Sequence, residues 1–331
     1  NLLINGSIIP DEGLLEAINL LNPGQALISD DDCIAVCLDE KDVTDFNPAN
    51  TDQFDSIKFE QKFLHIRFPF DIFRLNGECL KQDFEWLTKS RKSATISKSN
   101  QVIAPENIFI EKSAKMECAI INASTGPVYI GHNAEVMEGT VIRGPFALCE
   151  HSTVKLSTKI YGPTTIGPHS KVGGELNNVV VQAYSNKGHD GFLGNAVIGE
   201  WCNIGADTNN SNLKNNYSEV KLWNYVENRF RGTGLQFCGL IMGDHSKCAI
   251  NTMFNTGTVI GVFANIFGAG FPRNFIPSFA WGGPQGNKVY KKIAAFYVAK
   301  LVMERRNIKF DDAEKRILEH VFDITGKYRN F

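Results

Sequence analysis

From Ile130 to Val172 an aliphatic residue returns every six positions without a break, through Val136, Ile142, Leu148, Val154, Ile160 and Ile166. This constrains the fold more than any other feature, because a period of six fits neither an α-helix nor a hairpin meander. It fits a short strand and a turn, repeated. Three such units close a triangular coil of roughly 18 residues, and stacking sets each aliphatic on its equivalent one coil away. The period resumes at Ile198 and Ile204 and runs on in degenerate form through Met242, Cys248, Phe254, Ile260 and Ile266. A weaker start is visible at Val102, Ile108, Ala114 and Ile120. Burying one such aliphatic contributes on the order of 1.5–3 kcal/mol before entropy is charged against it. No coil can bury its face alone, so only the stack is stable. The sequence predicts a mainly β fold, a left-handed parallel β-helix of hexapeptide repeats.

The flanks differ. Residues 1–95 lack the hexad and mix a strand-like run (Phe63 to Phe68) with a helix-like Leu80 to Leu87. They are read as a partial α/β domain, residues 96–285 as the β-helix and 286–331 as a helical cap. The acidic, Asn-rich stretch from Asp39 to Asp55 reads as a surface loop or an insertion. Near the end, Val289, Ile293, Phe296, Tyr297 and Leu301 form an apolar stripe on a first helix. Asp311 with Glu314 resembles a capping box for a second helix carrying Ile317, Leu318, Val321 and Phe322, stopped by Gly326.

Composition narrows the function classes. Lys and Arg number 34 against 36 Asp and Glu, a net charge of −2. No basic field exists to attract nucleic acid, so affinity for phosphate must be local. No stretch approaches the roughly 18 apolar residues of a membrane span. The first residues carry no basic run typical of a signal peptide. The eight cysteines are scattered without a C-x-x-C pair, which reads as reduced thiols in a cytoplasmic protein. No metal site is expected. Cys33 and Cys37 lack a second ligand pair, and His151 and His169, spaced to stack one coil apart, lack a third ligand.

The polar, irregular stretch from Asn177 to Trp223 departs from the hexad. It holds S-N-K-G-H-D-G-F-L-G (Ser185 to Gly194), followed by Asn203, Asn209, Asn210, Asn212, Asn215 and Asn216. Loops on a rigid scaffold are where binding groups concentrate, and glycines beside His189 let backbone and ligand approach closely. The Asn cluster has a structural reading too, since Asn tolerates turns with positive φ. The other six histidines (His65, His132, His151, His169, His245, His320) read as structural or exposed, with His245 the reserve candidate for a base.

The segment from Asn186 to Trp223 resembles the acetyltransferase domain of the bifunctional UDP-N-acetylglucosamine pyrophosphorylase/glucosamine-1-phosphate N-acetyltransferase family. The residues carrying the resemblance are Lys187, Gly188, His189, Phe192, Leu193, Gly194, Asn195, Ile198, Gly199, Asn203, Ile204, Gly205, Ala206, Asp207 and Thr208, then Asn212 and Lys221. The runs N-N-S-N-L-K-N and T-G-L-Q-F-C-G-L-I-M-G-D-H-S-K resemble a divergent bacterial branch. I-N-G-S-I-I-P (Ile4 to Pro10) and F-D-I-F-R-L-N-G (Phe70 to Gly77) resemble the late part of a sugar nucleotidyltransferase domain.

The resemblance implies that His189 is the general base and that Asn212 helps hold the amino sugar and orient that base. Phe192 stands where the family commonly has a Tyr near the sugar. Lys221 comes at the spacing of a Lys that contacts phosphate or CoA, and Lys187 and Asn203 complete the substrate set. Gln182 and Tyr161 fall near where the family places basic residues, so Lys155, Lys159, Arg143 or Lys171 would have to substitute. The resemblance also implies acetyl-CoA as co-substrate and a homotrimer with the pantetheine arm between subunits. Mg²⁺ is implied only if the nucleotidyltransferase half is complete. No Gly-rich phosphate loop precedes Asn100, so either an upstream segment is missing or that domain is degenerate. Synthesis of UDP-N-acetylglucosamine from UTP by this chain is therefore not expected.

Acyl transfer to an amine needs the ammonium deprotonated and the thioester carbonyl polarised. A neutral imidazole, with an ordinary pKa near 6.5, is suited to the first task. Asp190 or a backbone carbonyl could fix its tautomer. A backbone N–H near Gly205 and Ala206, placed here against the cofactor, is the candidate donor to the oxyanion. The leading expectation is N-acetylation of glucosamine-1-phosphate in UDP-N-acetylglucosamine biosynthesis. The alternatives are an acyltransferase for another amino sugar, a nucleotidyltransferase whose solenoid only oligomerises, and a non-enzymatic scaffold.

Overall fold

The computed structural model describes residues 1–30, 32–40, 43, 46–47 and 53–331. The loop expected over 39–55 lies largely outside the described residues. The chain divides into two compact units, Asn1–Asp71 and Ile72–Phe331.

In the first unit a four-stranded sheet runs Leu2–Ile4, Asp32–Cys37, Gln25–Ser29, Asp55–Lys58 in spatial order. The first two pairings are antiparallel and the last is parallel. Helix α1 (Glu12–Asn19) is started by Asp11, whose carboxylate accepts from the Leu14 N–H at 2.8 Å. Its Leu14 and Ile18 are buried with Leu27, Ile34 and Phe59. Ile34 and Ala35 of the strand Asp32–Cys37 thus share a core with one stripe of α1.

The second unit opens with α2 (the helix Asp71–Thr88, which begins at the division) and continues as the solenoid. The stack that the hexad predicts is present as one 13-stranded and one 10-stranded sheet, parallel throughout except for a terminal hairpin. Strands Glu135–Val136, Thr153–Val154 and Lys171–Val172 pair in register, so Val136, Val154 and Val172 stand directly over one another inside the coil. Ile121, Ile142 and Ile160 stack on a second face, and Ile130, Leu148 and Ile166 on a third. All nine are buried. An ion pair between exposed Arg91 and buried Glu111 marks the start of the stack. Both guanidinium contacts come from one Arg91 nitrogen, and the Tyr129 hydroxyl donates to the same carboxylate at 2.8 Å.

One corner carries a feature the hexad does not show. His151, His169, Tyr184, Trp201, His245, Phe263 and Phe279 all have φ between 56° and 59°. Their rings stack along the solenoid, with successive centroids 4.8, 4.8, 4.1, 6.3, 4.5 and 5.1 Å apart. A left-handed conformation costs a non-glycine residue roughly 1–2 kcal/mol. Ring stacking returns about 0.5–1.5 kcal/mol per pair beyond area burial. The His151–His169 pair is part of this column, its rings parallel to within 2°.

The C-terminal helices are α3 (Lys292–Glu304) and α4 (Asp312–Ile324). Asp311 caps α4 as expected, accepting from the Ala313 and Glu314 N–H groups at 2.9 Å each. The apolar stripe expected on α3 is differently placed. Ala295, Phe296, Ala299 and Met303 are buried, while Ile293 (88% exposed), Tyr297 and Leu301 face outward. The buried side is built on alanines, which lets the helix backbone approach Phe263 and Phe279 of the aromatic column. On α4 it is Leu318 that is buried, with Val321 and Phe322 packed beside it and Ile317 exposed.

Candidate active site

The ladder changes its chemistry after Val172. The coil after Val172 is short, and Lys187 pairs in register with that valine. A lysine therefore takes an inward position that aliphatics hold in the coils before it. It is 3% exposed. Its Nζ donates to the Gly173 carbonyl at 2.9 Å and to the His189 carbonyl at 2.8 Å. Burial lowers its pKa to about 8, against the nearby carboxylates of Asp190 and Asp207, which act to raise it. The resemblance places Lys187 among the substrate contacts, but its ammonium is turned into the solenoid and ties the His189 loop to the coil before it.

That loop is held closely on both sides. A side chain on Gly173 would meet the Gly188 carbonyl at 2.9 Å, and one on Gly174 (φ +79°) would meet the His189 carbonyl at 2.9 Å. Gly191 passes so near the Thr208 carbonyl that a Cβ would sit 2.2 Å from its oxygen. Asp207 N–H donates to the Asp190 carbonyl at 3.0 Å. The backbone around His189 is thus pinned on two coils, while the side chain is exposed. Among the described residues no hydrogen bond or ion pair engages its ring, so Asp190 does not orient it here.

Phe192 and Asn212 come together over Gly194. A Cβ there would lie 2.5 Å from Phe192 Cζ and 2.8 Å from Asn212 Nδ2. Asn212 donates from Nδ2 to Asn195 Oδ1 at 2.7 Å, and Phe192 N–H donates to Asn209 Oδ1 at 2.7 Å. Asn210 is buried and clasps both backbone groups of Gly194, accepting from its N–H and donating to its carbonyl. The Asn-rich run therefore fixes the strand that follows the His189 loop. Asn203 lies outward beside Asn186, which donates to it at 3.0 Å.

The basic residues divide into two groups. Glu175 pairs in register with Phe192, and it takes Lys159 Nζ at 3.5 Å and the Tyr161 hydroxyl at 2.6 Å. Lys171 pairs with Asn186, one strand from the His189 loop. Its pKa is lowered by burial and by the positive charges of Arg306, Lys155 and Arg305. Arg143 lies farther along the face of Lys159, in line with Asn122. Lys221 stands apart on a hairpin, Lys221–Asn224 paired with Arg229–Gly232.

Two expectations change. Gly205 cannot supply an oxyanion donor, because its N–H already donates to the Cys248 carbonyl at 3.1 Å. Ala206 N–H has no acceptor among the described residues, so that role narrows to it. His245 is no reserve base. It is 2% exposed, its ring lies in the column between Trp201 and Phe263, and its nearest charged group is Glu314, with Oε1 3.6 Å from Nε2.

Residues 1–92 match the sugar nucleotidyl transferase family model. A bifunctional sugar-1-phosphate nucleotidylyltransferase/acetyltransferase of Sulfurisphaera tokodaii is 30% identical over 144 residues, 43% of this chain and 35% of that protein. Over that stretch this chain is similar to a bifunctional nucleotidylyltransferase/acetyltransferase. The bifunctional protein GlmU of Wolbachia pipientis is likewise 30% identical, over 40% of this chain and 32% of its own length. The chain thus spans about a third of the length of these two relatives. Among solved structures, a UDP-N-acetylglucosamine acyltransferase of Francisella novicida aligns with 70% of this chain and 91% of its own at 13% identity and a TM-score of 0.40.

Proposed function

We propose that this chain transfers an acetyl group from acetyl-CoA to the amine of an amino-sugar phosphate, with glucosamine-1-phosphate the first acceptor to test and His189 the general base. The observation that carries this reading is the His189 loop itself. Its backbone is pinned by Lys187, Gly174 and Gly191, its side chain is exposed, and the strand that follows carries Phe192 and Gly194, over which Asn212 also lies. A buried ammonium spent on holding one loop in place is a costly arrangement in a β-helix, and it is understandable where the loop must present an imidazole.

The steps follow from the chemistry of the amide bond. Neutral imidazole takes a proton from the acceptor ammonium, and the freed amine nitrogen attacks the thioester carbonyl carbon. The Ala206 N–H faces the role of stabilising the oxyanion that forms, an effect worth about 3–4 kcal/mol where measured. The C–S bond then breaks, the imidazolium returns its proton to the leaving thiolate, and the second proton on the new amide nitrogen leaves to solvent. Asn212 and Phe192 hold the sugar, Phe192 by its ring alone. The acceptor phosphate falls to Lys171 or Lys159, with Asn203 two strands from the former, beyond Asn186. Acetyl-CoA lies along Gly205–Ala206, with Gly205 as a close-approach position only.

The division 1–95, 96–285 and 286–331 stays part of this reading, with the acyl chemistry confined to the middle segment. A cytoplasmic homotrimer is likewise proposed. The model match over residues 1–92 favours descent from a nucleotidyltransferase domain, and no uridylyl transfer is assigned to it. The test is release of free CoA from acetyl-CoA with a panel of glucosamine-1-phosphate, other amino-sugar phosphates and nucleotide-linked amino sugars. CoA release that depends on one acceptor supports the reading, and none with any acceptor overturns it.

A further inference from the structure

The hairpin that carries Lys221 roofs a cavity of about 690 Å³ lined by Lys214, Lys221, Trp223, Phe230, Thr256, Arg273, Asn274 and Phe275. Three of the eight lining residues are cations and three are aromatic. None is a carboxylate. Lys214 is committed, donating from Nζ to the Glu219 carbonyl at 2.6 Å. Lys221 and Arg273 are exposed and make no ion pair among the described residues. Two cations lining one cavity that has no carboxylate in its lining favour an anion there.

The aromatic wall is rigid. Trp223 stacks on Phe275 at 4.3 Å and 12°, meets Phe230 edge-on at 5.4 Å, and is braced from behind by Tyr328 at 6.2 Å. Tyr328 is itself fixed, its hydroxyl donating to the Tyr225 carbonyl at 3.0 Å. The indole N–H of Trp223 is buried and finds no acceptor among the described residues, an unsatisfied donor that costs free energy until something accepts from it. The cavity also borders the proposed catalytic face. The Thr256 hydroxyl bonds to that of Ser211 at 2.7 Å, and Asn212 is the next residue.

We propose that this cavity is a nucleotide site, in which a base packs against Trp223 and Phe230 and the phosphates lie between Lys221 and Arg273. Its occupant is either the nucleoside diphosphate of a nucleotide-linked amino sugar or the adenosine bisphosphate end of the acyl-CoA. The proposal rests on the acyltransfer reading only for the choice between these two sources. Binding of a base needs the aromatic wall and binding of phosphate needs the cations, so both should be required together.

The experiment titrates the intact chain with UDP, adenosine 3′,5′-bisphosphate, uridine and inorganic phosphate, read by calorimetry and tryptophan fluorescence. One of the two nucleotides should bind tighter than about 1 mM, with uridine and phosphate each at least about tenfold weaker. Which nucleotide binds names the source. Arg273→Ala should weaken it about 10–100-fold, as expected for loss of a charge-assisted contact. Trp223→Phe should abolish the fluorescence change while calorimetric binding persists. His189→Ala should bind the nucleotide as the parent does. Binding by neither nucleotide, or binding unchanged in both Arg273→Ala and Lys221→Ala, would overturn the proposal. Failure of the acyltransfer reading looks different: no free CoA from any acceptor, with nucleotide still bound at this site.

Discussion

Lys187 joins the solenoid core to the proposed chemistry, and its position makes a two-sided prediction. Lys187→Met keeps the length of the side chain and removes the ammonium. Removing a buried charge is often neutral or stabilising by about 1–4 kcal/mol, while orphaning two carbonyls costs about 1–3 kcal/mol each. The net change in stability should be small. The His189 loop, however, loses its tie to Gly173, and a displacement of about 1 Å can cost up to 10²-fold in rate. We expect kcat to fall at least about tenfold with KM for acetyl-CoA little changed. Equal loss of kcat and of folded fraction would count against a positioning role. The pH dependence gives an independent check. A lysine whose pKa is lowered to about 8 in the fold binds fewer protons folded than unfolded between that pH and its ordinary value near 10.4. Stability of the parent should therefore rise with pH across this window relative to Lys187→Met, whose other titrating groups are the same, read by urea unfolding. His189 was legible from its glycine-rich setting, and Asn212 and Phe192 from resemblance. The inward turn of Lys187 was not, because a short coil shifts it out of the six-residue count.

At the level of elements, the aliphatic ladder was readable because period six repeats identical environments, and eight successive matches leave little else to explain them. The aromatic column was not readable in that way. Its members differ in type and occupy turn positions, where sequence reasoning expects glycine or asparagine. The exposed side of α3 was missed for a related reason: alanines that permit close approach bury more completely than the larger Ile293 and Tyr297. Trp201 is buried and stacked on Tyr184 at 4.1 Å. Trp201→Ala should destabilise the solenoid by about 3–5 kcal/mol, the range for large aromatic truncations, read as a lower urea midpoint with unaltered slope. Activity per folded molecule should be retained. A change under about 1 kcal/mol would mean that the column contributes little.

For the whole molecule, the exposed apolar surface is the guide to assembly. Ile103, Ile120 and Val141 lie outward on adjoining strands of one solenoid face, and Ile293, Tyr297 and Leu301 line the outer side of α3. Apolar surface gathered in patches marks contact surfaces in soluble proteins. With the implied homotrimer, light scattering at micromolar concentration should give three times the chain mass of 36.8 kDa. Val141→Lys together with Ile120→Lys should lower that mass. A monomer in the parent would contradict the proposed assembly.

The central claim is that the exposed His189 ring is the base for acyl transfer on an otherwise rigid solenoid. Its most direct test is the steady-state rate of CoA release by His189→Ala, with the acceptor that the panel identifies, alongside thermal unfolding. General-base catalysis contributes about 10²–10⁴-fold, and the exposed ring makes no hydrogen bond, ion pair or ring stack among the described residues. The account predicts kcat lowered at least about a hundredfold, with KM for acetyl-CoA and Tm nearly unchanged. A His189→Ala protein that melts normally and keeps more than about a tenth of the parent rate, far above the residual rate general-base loss permits, would contradict it.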